Sequence, residues 1–526
     1  MSFHPNQVKS RIYTFLAIGI LQLSGGISHC VLHAADSDKS SEAGTVQPEE
    51  IPETLSVRSG SVIIDGREVD YQSRTGTMVL KKEDGTPRAS IFYTAYIAEK
   101  RRGSGARPIT FSFNGGPGSA SVWLHLGVLG PRRVLMDEDG FMTRPPFQLV
   151  DNEFSLLDKT DLVFIDPVST GFSRAATEEK AGEFHGFNGD IESVAEFIRL
   201  YVTRNERWLS PKFIIGESYG TTRAAGLSTV LQEDHGMYLN GIMLVSSVLQ
   251  FQTIRFGEGN DLPYILFFPS YTATAHYHGA LEKGLQDRPL ADVLKESEEF
   301  ASRQLAPALL LGDSLKEQEM NNLIERAARL TGLSREFVAD TRLRINAFDF
   351  MKELLRDRGQ TVGRFDSRYT GRDRSNAGTG FEFDPSYAHI LGPFTAAMNH
   401  YVRAELGVEQ DIPYEILTGR VHPWNYQPFN NRYVEVAERL RRSMSFNPYL
   451  HVYVASGYMD LATPYFATDY TFRNAGFDSG QRERVHTHYY PAGHMMYLEL
   501  ESLRNQKDHL AGFIEQSLAE TATTGE

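Results

Sequence analysis

KFIIGESYGTTRAAGLSTVL, residues 212–231, is the stretch on which the fold turns. It opens as an apolar strand at 212–215, passes through Gly216-Glu217-Ser218-Tyr219-Gly220, and continues as an alanine-containing helix at 222–231. The central five residues match G-x-S-x-G. In such a turn, small flanking residues let the chain reverse sharply and lift a serine hydroxyl out of the end of a sheet. The following helix brings its amino end to that hydroxyl, where it favours developing negative charge. Five letters alone recur by chance in Gly/Ser turns, so the strand before and the helix after give the match its weight.

Outward from this turn, strands alternate with helices. Runs rich in apolar and aromatic residues at 77–80 and 89–97 flank Asp84-Gly85, a hairpin signal. Short apolar runs at 109–113, 161–165, 241–245 and 450–455 read as buried strands, and 191–202 has helical spacing. This order predicts an α/β fold, with a mostly parallel central sheet covered on both faces. Near 250–440 the rhythm breaks. Amphipathic stretches at 291–305, 314–330 and 347–358, then a polar Gly- and Arg-rich loop at 364–379, predict an inserted, mainly helical cap. The expected division is a first core part at 55–250, a cap at 251–440 and a second core part at 441–522.

A serine is a weak nucleophile until a base takes its proton, and the base needs a carboxylate to hold it. In an α/β-hydrolase the chain order is serine, acid, histidine. Asp460 lies just past the strand at 450–455, in Ser456-Gly457-Tyr458-Met459-Asp460. His494 lies in Pro491-Ala492-Gly493-His494-Met495, after a strand-like stretch ending at Tyr490. Both are loop positions at strand ends, where such sheets hold their sites. Asn114-Gly115-Gly116-Pro117-Gly118-Ser119-Ala120-Ser121 follows the strand at 109–113. Its glycines let backbone N–H groups approach a ligand, as a tetrahedral intermediate requires. One such donor would come from this loop and one from Tyr219. Each feature alone reads as an ordinary turn; jointly and in order they favour a serine hydrolase. There is no phosphate-binding G-x-x-x-x-G-K-[ST] and no dinucleotide-binding glycine fingerprint. His276-x-His278 and His486-x-His488 lack a third ligand at metal-site spacing, so no metal or cofactor is expected.

Composition narrows the remainder. A formal charge of −14 over 526 residues argues against binding nucleic acid or an anionic membrane through the overall field. The single cysteine, Cys30, excludes an internal disulfide framework and cysteine-rich metal sites. Residues 1–35 predict an export signal: Lys9 and Arg11 precede the apolar run IYTFLAIGILQLSGGI (12–27), and Ala34 and Ala35 precede acidic, Ser-rich sequence. Gln22, Ser24 and two glycines break the run, which makes it a poor bilayer-spanning helix, and no later segment looks transmembrane. Residues 36–54 read as a flexible linker. The expected location is periplasmic or secreted. Lipid attachment at Cys30 is a second reading, with His29 bulky where a small residue is wanted.

Five ordered blocks resemble the serine carboxypeptidase family, a branch of the α/β-hydrolases. They are Asn114 to Ser121 leading to Leu129-Gly130-Pro131, then DLVFIDPVSTGFS at 161–173, Gly216 to Gly220, Gly457-Tyr458-Met459-Asp460 and Gly493-His494-Met495. The resemblance implies an α/β-hydrolase fold and a carboxypeptidase that releases C-terminal residues from peptides through an acyl-enzyme. It implies Ser218 as nucleophile, His494 as base and Asp460 as its orienter, with the N–H groups of Gly116 and Tyr219 as oxyanion hole. Asn114, Gly115 and Glu217 match positions that grip the substrate's terminal carboxylate. Two carboxyl groups share a short hydrogen bond only if one keeps a proton, so a grip through Glu217 would favour acid. The chain departs from the family at Ser119, where a cysteine is usual. It departs again at Val128, where a glutamate commonly supports the grip, and at Met496-Tyr497, where Val-Pro is typical. Two other readings stand beside this one. An esterase or acyltransferase on the same scaffold would turn over esters without needing a free carboxylate. A non-catalytic binding protein would leave Ser218 unlabelled by a fluorophosphonate.

Overall fold

The computed structural model describes residues 50–99 and 106–522. The predicted export signal at 1–35, and the linker up to residue 49, lie outside the described residues.

Nine strands build the central sheet. They are β1 (Leu55–Ile64), β2 (Arg67–Lys81), β3 (Pro87–Ala98), β4 (Ile109–Phe113), β5 (Asp161–Ile165), β6 (Lys212–Glu217), β7 (Gly241–Val245), β8 (His451–Gly457) and β9 (Val485–Tyr490). Their spatial order is β1-β2-β3-β5-β4-β6-β7-β8-β9, and a two-residue strand, Arg174–Ala175, adds to β3. From β5 to β9 every pairing is parallel, while β1, β2 and β3 attach antiparallel at one edge. The predicted runs at 77–80, 89–97, 109–113, 161–165, 212–215 and 241–245 fall in these strands, and the run at 450–455 does so from His451. The central parallel strands are apolar runs buried on both faces, as helices on each side require.

The strand Leu55–Ile64 and the first half of β2 were not legible as strands. Their residues are largely exposed, so the sequence SVRSGSVIIDGREVDYQSR shows no apolar face. A local signal was nevertheless present. Asp65-Gly66 forms the turn between them with φ of 49° and 73°, the positive pair that Asp-Gly favours in tight hairpins.

Alternate residues of the parallel strands face opposite layers. Phe213, Ile215, Met243 and Val245 pack with Leu510, Phe513 and Ile514 of the C-terminal helix at 500–522. Ile214, Ile242, Leu244 and Val452 pack on the other face with α1 (Phe187–Arg204) and α2 (Tyr219–Glu233). Between β7 and β8 lies the predicted insertion. Its helices include α3 (Phe268–Tyr277), α4 (Leu290–Phe300), α5 (Glu317–Thr331) and α6 (Pro385–Ala404). The first three pack around Tyr271, Phe300, Leu330 and Phe350, and this cluster reaches the core through Leu461, Tyr465 and Phe466.

One buried ion pair ties the core helices to the sheet. Arg223 of α2 donates through Nε to Asp190 of α1 at 2.8 Å and through Nη1 to the carbonyl of Asn114, just past β4, at 2.5 Å. Both side chains are almost completely buried. Removing one partner strands the other charge in the core, which costs about 3–5 kcal/mol. Asp190→Ala should lower the urea-unfolding free energy by that amount; a loss below about 1 kcal/mol would show that the pair is dispensable.

Candidate active site

The carboxyl ends of the parallel strands carry the predicted residues. Asn114 follows β4, Ser218 follows β6, Asp460 follows β8 and His494 follows β9. Ser218 sits between β6 and α2 with φ 60° and ψ −128°, a conformation that costs a non-glycine residue about 1–3 kcal/mol. The turn is held from below by the Ser218 N–H, which donates to the Val245 carbonyl at 3.0 Å. Crowding leaves it no alternative. A Cβ on Gly115 would lie 2.5 Å from the Tyr219 nitrogen, and one on Gly216 would run into the Gly220 carbonyl.

His494 and Asp460 meet directly, with Nδ1 2.7 Å from Oδ2. Asp460 is fully buried and also accepts from the Ala462 and Thr463 N–H groups at 2.7 and 3.0 Å and from the Thr463 hydroxyl at 2.8 Å. Burial would raise its pKa, but the His494 charge, the bond to that ring and the Thr463 donors carry it below the usual value. For His494, burial opposes the charged ring; Asp460, aided by Glu217, outweighs this and raises the pKa. With Nδ1 on Asp460, the neutral ring keeps its proton there and leaves Nε2 bare as an acceptor. The ring is positioned by its own backbone. Its N–H donates to the Phe365 carbonyl at 2.6 Å, and its carbonyl accepts from the Ser246 hydroxyl at 2.6 Å.

Ser218 and His494 line one cavity of about 560 Å³, together with Gly115, Gly116, Glu217 and Tyr219. Tyr219 opens α2, and first-turn N–H groups have no acceptor within their own helix. Beside the serine, buried Glu217 accepts from Asn114 Nδ2 at 3.0 Å and from the Tyr497 hydroxyl at 2.5 Å. Burial pushes its carboxyl up to about 7, against the partial pull of His494, Tyr497 and Asn114. All eight sequence-predicted residues therefore meet at one place: seven by strand-end position, contact or cavity wall, and Asp460 beneath His494.

Three neighbours have no site role predicted from the sequence. Thr463 braces Asp460. Asp366, in the insertion's loop before α6, accepts from the Gly493 N–H at 3.0 Å and pairs with Arg368, so a loop of the insertion props the histidine loop. Tyr497 stood out only as a departure at a Pro position. Its ring occupies space that a Cβ on Gly127 would fill, next to fully buried Val128. Ser119 also has a local use: its hydroxyl accepts from the Trp123 indole N–H at 2.7 Å. The paired histidines go elsewhere. His276 and His278 point their Nε2 atoms at two different carbonyls, those of Arg288 and Ser367.

A mainly parallel sheet, a serine at a forced strand-to-helix turn, and an aspartate and histidine after later strands define an α/β-hydrolase. The serine carboxypeptidase family model matches residues 66–524, and the chain belongs to that family. Among known proteins, it is 32% identical over 159 residues to pheromone-processing carboxypeptidase KEX1 of Saccharomyces cerevisiae, covering 28% of this chain and 21% of the yeast protein. It is 26% identical over 193 residues to serine carboxypeptidase-like 45 of Arabidopsis thaliana, covering 35% of this chain and 38% of the plant protein. The alignments thus span about a fifth to two fifths of these curated relatives. The crystal structure of the yeast prohormone-processing carboxypeptidase superposes with a TM-score of 0.50 at 15% identity, over 85% of this chain and 92% of that one, which supports the fold.

Glu217 makes stability pH-dependent. Its carboxyl holds a proton to about pH 7 when folded but only to about 4.5 when unfolded. Between those values the folded state binds more protons. The contribution is therefore complete below about 4.5 and lost as pH rises through 7. Relative to Glu217→Gln, the wild type should lose roughly 3 kcal/mol across that window. Thermal unfolding of both from pH 4.5 to 7.5 checks this; a constant difference overturns it.

Proposed function

We propose that the chain is an exported serine carboxypeptidase that works through an acyl-enzyme. The observation that carries this reading is the join of two functions at one turn: Ser218 stands next to Glu217, a buried carboxyl that keeps its proton near neutrality. On this reading Ser218 Oγ attacks the last peptide carbonyl while His494 Nε2 takes its proton. The N–H groups of Gly116 and Tyr219 meet the oxyanion. His494 then protonates the leaving nitrogen, the C–N bond breaks, and the peptide remains as an ester on Ser218. Water attacks that ester, with His494 again the base, and releases the shortened peptide. Asp460 holds the ring throughout.

The same reading gives the substrate's terminal carboxylate to Asn114, the Gly115 N–H and Glu217. Protonated Glu217 donates one hydrogen bond to that carboxylate, while its other contacts, to Asn114 and Tyr497, fix its direction. Tyr497 thus acts as a positioning residue where the family's second glutamate is replaced by Val128. The yeast relative is named for pheromone processing, and we carry over only its class of reaction. Export rests on the sequence of residues 1–35. Unprocessed chain in the cytosolic fraction of the native cell would overturn it.

An N-blocked dipeptide with a free carboxylate should be cleaved in preference to its C-terminal amide, and Ser218→Ala should lose about four orders of magnitude or more of kcat. The preference should decline above about pH 7, as Glu217 ionises. Tyr497 donates to ionised Glu217 and so lowers its pKa; Tyr497→Phe should move that alkaline limb to higher pH. Amide cleavage equal to the free acid at every pH would replace this reading with an esterase or acyltransferase. An unmoved limb in Tyr497→Phe would make the tyrosine a packing residue only.

A further inference from the structure

The cavity around Ser218 is walled largely by apolar and aromatic side chains, among them Ile254, Phe256, Phe348 and Ile390. Two arginines interrupt that wall, Arg255 and Arg364. Several arginines of the insertion find carboxylates: Arg344 is forked onto Asp261, Arg288 meets Glu296 and Arg356 meets Glu353. Among the described residues, Arg255 and Arg364 have no carboxylate at ion-pair distance. Each rests on a ring, Arg255 5.6 Å above the Phe251 centroid and Arg364 5.3 Å above that of Phe365. Arg255 also sits beside the Tyr426 hydroxyl.

The two cations share one field. Burial lowers the pKa of Arg364, and Arg255 adds to the lowering; Asp384 and Asp460 oppose it. Neither acid is available as a partner. Asp384 Oδ1 accepts from the Ser386 N–H and hydroxyl and from the Arg364 backbone N–H, and Asp460 is committed to His494. Among the described residues, the one acid in the cavity wall is Glu217, which stays protonated to about pH 7. A chain of net charge −14 thus presents a locally cationic cavity. Guanidinium forks stacked on rings lose little freedom when they bind, and their planar donors match a carboxylate.

We infer that Arg255 and Arg364 bind the side-chain carboxylate of a substrate residue flanking the scissile bond, so that peptides with Glu or Asp at that position are preferred. This rests on the carboxypeptidase reading and names its substrate class. The pair leaves the terminal carboxylate to Asn114, Gly115 and Glu217. A lysine at the same position would meet two like charges.

The test uses N-blocked dipeptides carrying Leu, Gln, Glu or Lys at each of the two positions, as free acids and as amides. Wild type should cleave Glu over Gln about 10- to 100-fold in kcat/KM at one position, with Lys poorest there. The Glu/Gln ratio should fall toward one in Arg255→Met and Arg364→Met. Arg255 is exposed, so Arg255→Glu should fold and should invert the ranking toward Lys. Brisk cleavage of the Leu peptide with a Glu/Gln ratio of one overturns the inference and leaves the carboxypeptidase reading standing. If the arginine variants instead lose the preference for free acid over amide with the Glu/Gln ratio already at one, the arginines hold the chain terminus and the inference fails. No cleavage of any free-acid peptide overturns both.

Discussion

Three lengths of backbone converge beside Ser218 with no space for a side chain between them. Gly115 lies against the Tyr219 and Gly220 nitrogens, Gly216 against the Gly220 carbonyl, and Gly220 against Phe113 and Asn114. This close approach ties the ends of β4 and β6 to the start of α2 and forces the serine into its positive φ. The strain is sustained because the surroundings over-determine it. Arg223 reaches through the same junction to the Asn114 carbonyl and to Asp190, so a polar lock reinforces what sterics impose. Four of the proposed roles, those of nucleophile, oxyanion donor, and the Asn114 and Glu217 grips, are therefore set by one rigid knot.

That knot explains why the sequence was informative where it was. A backbone contact that excludes Cβ must be written as glycine, and glycines at fixed offsets after an apolar strand can be read directly. The parallel strands were legible for a related reason: burial on both faces leaves continuous apolar runs. Asp460 and His494 could be picked out only by order and strand-end position. The bracing contacts left no local trace. Asp366 meets Gly493, and Tyr497 meets Glu217, across more than a hundred residues of chain. Arg255 stood in unremarkable text and Arg364 opened a loop legible only as Gly- and Arg-rich, because being unpaired is a property of the assembled cavity. At the amino end, the strand Leu55–Ile64 was missed because its mostly exposed side chains give no apolar pattern.

The Glu217 neighbourhood shows two departures that make sense only together. The Val128 side chain supplies no polar atom, and Tyr497, in the short helical turn at 496–498, brings a hydroxyl to the Glu217 carboxyl. Gly127, beside Val128, leaves the room that the tyrosine ring fills. A phenol donates a hydrogen bond without adding a second charge to a buried site. The carboxyl can therefore be oriented without the like-charge repulsion that a paired acid would introduce.

The interruption of the sheet has a consequence for biosynthesis. β7 ends at Val245 and its parallel partner β8 begins at His451, so roughly two hundred residues must emerge before that edge is covered. At bacterial or eukaryotic elongation rates this is on the order of ten seconds or more of an unpaired apolar strand on the nascent chain. The insertion must collapse on its own core during that interval, since the segment that docks it, around Leu461 and Phe466, is made after it. His494 arrives later still. On the proposed mechanism, a chain caught partway would present a serine with no base beside it, and would be inert toward its neighbours on the ribosome.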